Sequence, residues 1–327
     1  MIRRNFLGLA IGAGLLAALG SPALAQSGYP AKPIRLLVPF AAGGTTDLIA
    51  RIVAEPLGRE LGQTVVVENK GGGGGSIGAA DTARATPDGY QLGVATVSTT
   101  ATNPAINPDI PYDVARDFTP IINIAATPNV IAAHPGQPFK DYKGFLEAVK
   151  KSPGKYAYAS PGNGSITHLM MEMFKLSTGT DMMHIPYRGS GPALNDAVAG
   201  QVPIIFDNLP SAFPFIQDRR LTPLVVAAPQ RVPALPDVPT FKEVGLEPVN
   251  RMAYYGIVGP KDLPREIVDK INAATRKVLQ DPGIRQRIEA TGSIIQAGTP
   301  EAFAAQMKEE LAVYKDVVVK QKLTLQQ

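Results

Sequence analysis

Cysteine is absent from the 327-residue chain, and so is tryptophan. Without cysteine there is no disulfide framework, no thiolate nucleophile and no cysteine-ligated metal. Only three histidines occur, His134, His168 and His184, with no His-Glu-x-x-His pairing, which argues against a catalytic zinc. Charge is sparse and balanced, with a formal net charge of +4 and no basic run. That balance and the missing tryptophan argue against a nucleic-acid partner. Long apolar runs are also missing after the first 25 residues, so no later stretch is suited to spanning a bilayer. What is present is 45% hydrophobic and 18% charged residues, with 32 Gly and 30 Pro. This is a globular composition, and the length suggests roughly two domains with ample core.

Residues 1–25 read as a secretory signal rather than as fold. Arg3 and Arg4 supply the charged start, 6–19 is apolar and uncharged, and Ala23-Leu24-Ala25 is an Ala-x-Ala cleavage site. The apolar run is short for a membrane anchor, which is the alternative reading. The mature chain then begins at Gln26 with 30 basic and 28 acidic residues, a net charge of +2. Arg3-Arg4-Asn5-Phe6-Leu7 also resembles a twin-arginine signal, so Sec and twin-arginine export both stay open. No cysteine at the cleavage site means no lipid anchor, and the expected product is soluble outside the cytoplasm. An exported location argues against ATP and NAD chemistry, and no cofactor is expected.

Short apolar runs alternating with helical patterns predict an α/β protein with mainly parallel strands. Strands are expected at 34–40, 64–68 and 90–97, with helices at 48–61, kinked at Pro56, and 77–85. A second set comprises strands 156–159, 183–186, 202–206 and 224–227, with helices 167–176 and 192–199. A further strand is expected near 254–258. Two helices follow, one carrying Ile267, Ile271, Ala274 and Val278, the other Phe303, Met307, Leu311, Tyr314 and Val318 behind a Thr299 cap. The apolar, proline-punctuated 121–135 and the proline-rich 229–250 read as crossings between domains. One lobe is therefore expected to be 26–125 plus 251–327 and the other 126–250, with a hinged cleft between them.

Two strand-to-helix loops have the composition of ligand loops. Phe40-Ala41-Ala42-Gly43-Gly44-Thr45-Thr46-Asp47 offers glycine backbone, two hydroxyls and a helix N-terminus, an arrangement that favours an anion. A tight turn capped by Asp47 is the plainer alternative. The stretch Ser160 to His168, with Gly162, Gly164, Ser165 and Thr167, repeats the design in the other lobe, where His168 is a ligand contact or simple packing. Tyr187-Arg188-Gly189-Ser190-Gly191 adds a guanidinium, which a surface salt bridge would equally explain. In open α/β sheets ligands bind beyond the carboxyl ends of strands, where all three loops lie. One donor-rich loop per lobe suits a ligand gripped as the lobes close.

The glycine-rich 71–78 matches two catalytic patterns that lack their partners. Gly73-x-Gly75-x-x-Gly78 follows a strand, but the next strand ends in Ser98-Thr99-Thr100 instead of the acid that a dinucleotide ribose needs. Gly74-x-Ser76-x-Gly78 reads as a nucleophile elbow, yet it comes after only the second mature strand. No lysine sits where a phosphate-binding Walker motif requires one. The expectation is a flexible loop near the cleft mouth.

The segment from Tyr29 to Asp47, YPAKPIRLLVPFAAGGTTD, resembles the start of the Bug/TctC family of tripartite tricarboxylate transporter substrate-binding proteins. The resemblance continues through LGQTVVVEN at 61–69, GGSIG at 74–78, PDGY at 87–90, PYD at 111–113 and DFTP at 117–120. It extends through YAS at 158–160, HIPYRG at 184–189, Phe206-Asp207 and LPDVPT at 235–240, so nearly the whole mature chain is covered. It implies a two-lobed periplasmic binding protein of the type II, Venus-flytrap kind that binds a small mono- or dicarboxylate without catalysis. It also implies delivery to tripartite tricarboxylate-type membrane subunits, with no metal, no nucleic acid and a monomeric state. The implied ligand loops are 40–47 and 160–168, with Ser98, Arg188 and Asp207 as further candidate contacts; Asp207 faces an amino or hydroxyl group at the far end of the ligand. Many members carry Trp-x-Gly where this chain has Ala253-Tyr254-Tyr255-Gly256, so Tyr254 is a candidate that suits a different far end, an aromatic ring included. Two rival functions remain. One is a secreted hydrolase using Ser76 with Asp88 and His134 or His168; the other is a sensor receptor presenting its ligand to a signalling kinase.

Overall fold

Aliphatic and β-branched runs form the strands, and the amphipathic stretches between them form the helices. A computed structural model describes residues 28–325, and the expected leader with its cleavage site lies outside the described residues. The first lobe opens with β1 (Ile34–Val38), α1 (Thr45–Leu61), β2 (Val65–Asn69), α2 (Ser76–Ala83) and β3 (Gln91–Thr96). A π-helical turn at Ser98–Thr102, short helices α3 (Asn103–Ile106) and α4 (Val114–Asp117), and β4 (Phe118–Thr127) follow. After Pro128 the chain enters the second lobe. That lobe holds β5 (Asn129–Ala133), α5 (Tyr142–Lys151), β6 (Ala157–Ser160), α6 (Ile166–Thr178), β7 (Met183–Pro186), α7 (Ser190–Val198), β8 (Ile204–Asn208), α8 (Leu209–Gln217) and β9 (Thr222–Ala227). It then returns to the first lobe through β10 (Ala253–Pro260), α9 (Arg265–Val278), α10 (Pro282–Glu289), β11 (Ile294–Ile295) and α11 (Pro300–Gln321).

The two sheets have the strand orders β11-β4-β10-β3-β1-β2 and β7-β6-β8-β5-β9. Both are mixed where mainly parallel sheets were expected. β1 runs parallel to β2 and β3, and β6 runs parallel to β7 and β8. β10 is antiparallel to β3 and β4, and β5 is antiparallel to β8 and β9. A strand that arrives directly from the other lobe has no crossover helix in which to turn round, so it lies against the direction of the βα units it joins. The apolar 121–135 is therefore not a bare crossing: it holds most of β4 and all of β5. Each is flanked by strands on both sides, which buries every residue of β5 and explains the missing polar alternation.

Several boundaries move for identifiable reasons. Helix α1 starts at Thr45 rather than residue 48, because its N-cap, Gly44, makes no side-chain capping bond and leaves no cap signal in the sequence. It continues through Pro56 and stops at Gly62, whose left-handed backbone (φ 72°) donates to the carbonyls of Gly58 and Arg59. Helix α10 has a clear cap that the periodicity hid, with Asp281 accepting from Gly283 and Ile284 N–H ahead of Pro282. Each lobe has its own aromatic core, with Phe145 stacked on Phe174 at 5.7 Å in the second and Phe303 edge-on to Tyr254 at 5.6 Å in the first. This frame directs the helices that follow β1, β6, β7 and β8 toward the seam between the lobes.

Candidate functional site

Each of those four helices follows its strand after six residues or fewer, directly in the case of α8, so its unpaired N–H groups lie near the strand's carboxyl end. Thr46 of α1, Ile166 at the start of α6, Ser190 at the start of α7 and Asn208, which precedes α8, line one interlobe cavity. Phe40, Thr96, Ser98, Pro161 and Tyr255 complete most of its wall. No Lys, Arg or His lines it among the described residues. Four convergent helix N-termini make it anion-favouring all the same, at roughly 0.3–1 kcal/mol per terminus. The lobes are closed down on it, leaving a cavity of about 10 Å³, the space of a single water.

The seam that closes the cavity is made of direct hydrogen bonds. Ala41 N–H donates to Arg188 O at 3.0 Å, Ile166 N–H to Ser98 Oγ at 3.0 Å, and Thr102 Oγ1 to Gly164 O at 2.7 Å. Ser211 N–H donates to Thr45 Oγ1 at 3.1 Å. Backbone meets backbone where side chains are missing. A methyl group on Gly191 would lie 2.0 Å from Ala42 O, and one on Gly74 would lie 2.1 Å from Asn163 O. The glycine-rich 71–78 is thus a seam element, a tight turn at Gly73–Gly75 running into α2, and not the free loop at the cleft mouth expected of it.

Behind Ser190 lies Asp207, at the end of β8 and fully buried. Its carboxylate accepts from Ser190 Oγ (2.5 Å) and Ser211 Oγ (2.8 Å), and no cation pairs with it among the described residues. Burial raises its pKa to about 6 against the pull of those hydroxyls and of a backbone N–H bond at Asn208. Tyr255 faces the same region, its phenol near Thr45 and Thr46, and its pKa is raised by burial and then by the Asp207 charge.

The other candidates divide between cavity, seam and support. Phe40, Thr46 and Ser98 line the cavity, while Ala42, Gly43, Gly44 and Thr45 pack against Ser190, Gly191 and Ser211 across the seam. Asp47 does not face the cavity. It accepts from Gly43 N–H, Arg51 Nε and Asn69 Nδ2, and those bonds outweigh burial to hold its carboxyl below the usual range. It is the anchor that folds loop 40–44 back on α1, since Asn69 also donates to Phe40 O. Ser160 bonds His184 Nε2 at 2.6 Å and accepts from Gly162 N–H. Ser165 caps α6 by accepting from His168 N–H, and Thr167 is fully buried in that helix.

His168 is packing of a particular kind. Its ring is buried, stacks on His184 at 4.2 Å, and its Nδ1 accepts from Gly164 N–H, so it braces the 160–165 loop from behind. Burial, and then the proximity of His168, lowers the His184 pKa to about 3. Arg188 meets the first lobe through its carbonyl, while its side chain is exposed. Tyr254 points to the opposite face of β10, where its hydroxyl meets Thr100 Oγ1 at 2.5 Å; Tyr255 is the residue that lines the cavity. The residues that sequence reasoning missed, Ser190, Asn208 and Tyr255, carry only a positional signal, at strand ends or next to a named candidate.

The pieces of the rival hydrolase are engaged elsewhere. Asp88 accepts from Tyr90 N–H, His134 Nδ1 from Gly136 N–H, and no hydrogen bond joins Ser76 to either. No group of acidic, histidine or cysteine side chains able to hold a metal ion occurs among the described residues, nor does any helix long and apolar enough to cross a membrane.

Comparison with known proteins gives a consistent answer. A solved periplasmic transporter aligns with a TM-score of 0.90 at 51% identity, covering 91% of this chain and all of its own. A Rhodopseudomonas palustris protein with adipate aligns at 0.87 and 31% identity, covering 91% of this chain and 99% of that one. MatC from the same organism, with bound malate, aligns at 0.85 and 32% identity, covering 89% of this chain and all of that one. Residues 49–323 match the family model described as the tripartite tricarboxylate transporter family receptor, and the chain belongs to that family, TctC.

Proposed function

We propose that this chain is a periplasmic receptor that captures a small mono- or dicarboxylate between its lobes and presents it to membrane subunits of a tripartite tricarboxylate-type transporter. The observation that carries this reading is the convergence of four helix N-termini on a cavity with no lining cation among the described residues. Oriented N–H groups in a water-poor site bind a carboxylate through charge-assisted bonds and leave a nearly neutral protein able to take an anion. The adipate and malate bound to related proteins are ligands of that chemistry. Phe40, Thr46, Ser98, Ser190, Asn208 and Tyr255 are the proposed ligand contacts. Capture requires the lobes to part, because a ligand of several carbons exceeds the closed cavity, and reclosure over it is the signal offered to the membrane partner. The role proposed is binding, in keeping with the receptor family to which the chain belongs.

The test is a thermal-shift screen on protein unfolded and refolded to strip retained ligand. A carboxylate at about 100 times its Kd adds roughly 2.7 kcal/mol to the folded state, a shift of several degrees. Related acids giving such shifts are the expected result. A flat panel from refolded protein with native circular dichroism would overturn the reading.

A further inference from the structure

Strand β5 is buried at every position, and Asn129 is its one polar side chain. A valine would bury there without the desolvation an amide incurs, so the amide stands on the bonds it makes. Asn129 Nδ2 donates to Arg251 O at 2.7 Å, with Met170 Sδ 3.4 Å from the same nitrogen. Asn129 Oδ1 accepts from Asn208 Nδ2 at 2.5 Å. A main-chain carbonyl only accepts, so the bond to Arg251 fixes which way round the Asn129 amide lies, and with it which atom meets Asn208. Asn208 in turn lines the cavity. It stands at the N-cap of α8, where asparagine commonly bonds its own helix, yet it makes no side-chain capping bond and goes to Asn129 instead.

The far ends of these bonds lie on the two crossings between the lobes. Asn129 directly follows Pro128, whose carbonyl accepts from Leu209 N–H at 2.8 Å, and Arg251 lies on the return crossing. Beside it, Asn250 exchanges two hydrogen bonds with the backbone of Ala228, at 2.8 and 3.1 Å. The Arg251 guanidinium reaches the other way, to α11 of the first lobe, 3.7 Å from Glu310 and 5.3 Å over the Tyr314 ring. We infer that Asn129 is a positioning residue for ligand capture: through Asn208 it presents a cavity contact that is moored to both crossings and already oriented before the lobes close. This rests on the carboxylate-receptor reading above and deepens it. Displacement is smallest at the axis about which two lobes part, so a side chain moored there keeps its place whether the cleft is open or shut. An amide held in advance gives up no further conformational freedom when a ligand arrives. Released from Asn129, the Asn208 side chain turns to the end of its own helix and leaves the cavity wall.

The experiment is a double-mutant cycle read on binding. The probe is whichever of succinate, malate, adipate and benzoate gives the largest thermal shift with refolded wild-type protein. It is titrated calorimetrically into wild type, Asn129→Ala, Asn208→Ala and the double variant, each checked for native circular dichroism. Asn129→Ala is expected to weaken binding about tenfold in the wild-type background and about twofold or less in the Asn208→Ala background. A merely structural role lowers the melting temperature without making the effect of one residue on affinity depend on the other. Asn129→Thr, a strand-favouring residue too short to reach both partners, enters the same cycle if the alanine variant does not fold. Equal losses in the two backgrounds, or unchanged affinity in Asn129→Ala, would overturn the inference and leave the receptor reading standing. Wild-type affinity in Asn208→Ala would do the same. No binding of any of the four acids by wild type would overturn both.

Discussion

Asp207 combines complete burial with the absence of a counter-ion among the described residues, and its pH linkage follows from that. Its carboxyl titrates near 6 in the folded chain against an ordinary value of 3.8. An acid with a raised folded pKa stabilises the fold while protonated, and that contribution is lost as pH rises from the unfolded value through the folded one. Taking 1.36 kcal/mol per pH unit, the ionised carboxylate costs the fold about 3 kcal/mol in all, about 2 kcal/mol of it between pH 4.5 and pH 7.5. Asp207→Asn has no such titration. Denaturant unfolding of both proteins at pH 4.5, 6 and 7.5 is expected to show the variant gaining on wild type by about 2 kcal/mol across that range, whatever the constant offset between them. A pH-independent difference would mean that Asp207 ionises as readily in the folded protein as in the unfolded chain.

At the scale of the element, β10 shows where reading from sequence stops. The aromatic pair at 254 and 255 is evident without any structure, but which of two neighbours faces a ligand depends on strand register, and register is set by partners distant in sequence. Tyr255 pairs with Thr96 of β3, whose side chain also lines the cavity, and Tyr254 turns to Thr100 and Phe303. The alternation of strand and helix was legible because buried βα units leave strong apolar periodicity, and the glycine-rich loops were legible because few other residues tolerate their backbones. Asp47 misled for a physical reason. An acid near a helix start reads as a cap, whereas here it is the third helical residue and ties Gly43, Arg51 and Asn69 together. The orientation of the Ser190 hydroxyl was not legible at all, since it is held by Asp207 behind it. The strand's two faces predict different phenotypes. Tyr254→Phe removes the bond to Thr100, whose own proton already serves Thr96 O, and is expected to cost about 1 kcal/mol of stability with ligand affinity unchanged. Tyr255→Phe is expected to weaken ligand binding about tenfold, as loss of a hydrogen bond in a dry cavity does. Urea melts and calorimetry on the two variants check this, and the reversed pattern would put β10 in the opposite register.

The whole molecule is two lobes joined at Pro128 and along 228–252, and its closed arrangement depends on backbone meeting backbone across the seam. Gly191 is the cleanest place to test that arrangement. It sits in the first turn of α7 in the second lobe, and an added Cβ would lie 2.0 Å from Ala42 O of the first lobe. Its backbone is not left-handed, unlike that of Gly43, Gly74 and Gly164, so alanine there strains neither lobe by itself. The cost of Gly191→Ala therefore falls on closure alone, which makes it a probe of the equilibrium between open and closed forms. Solution scattering from the unliganded variant is expected to give a larger radius of gyration than wild type, while its melting temperature stays within a few degrees. A direct carbonyl contact cannot be relieved by rotating a side chain, so the lobes themselves must move apart. Superimposable scattering curves from the two proteins would mean that the Ala42–Gly191 contact does not hold the lobes together in solution, and that the open form already predominates before any ligand arrives.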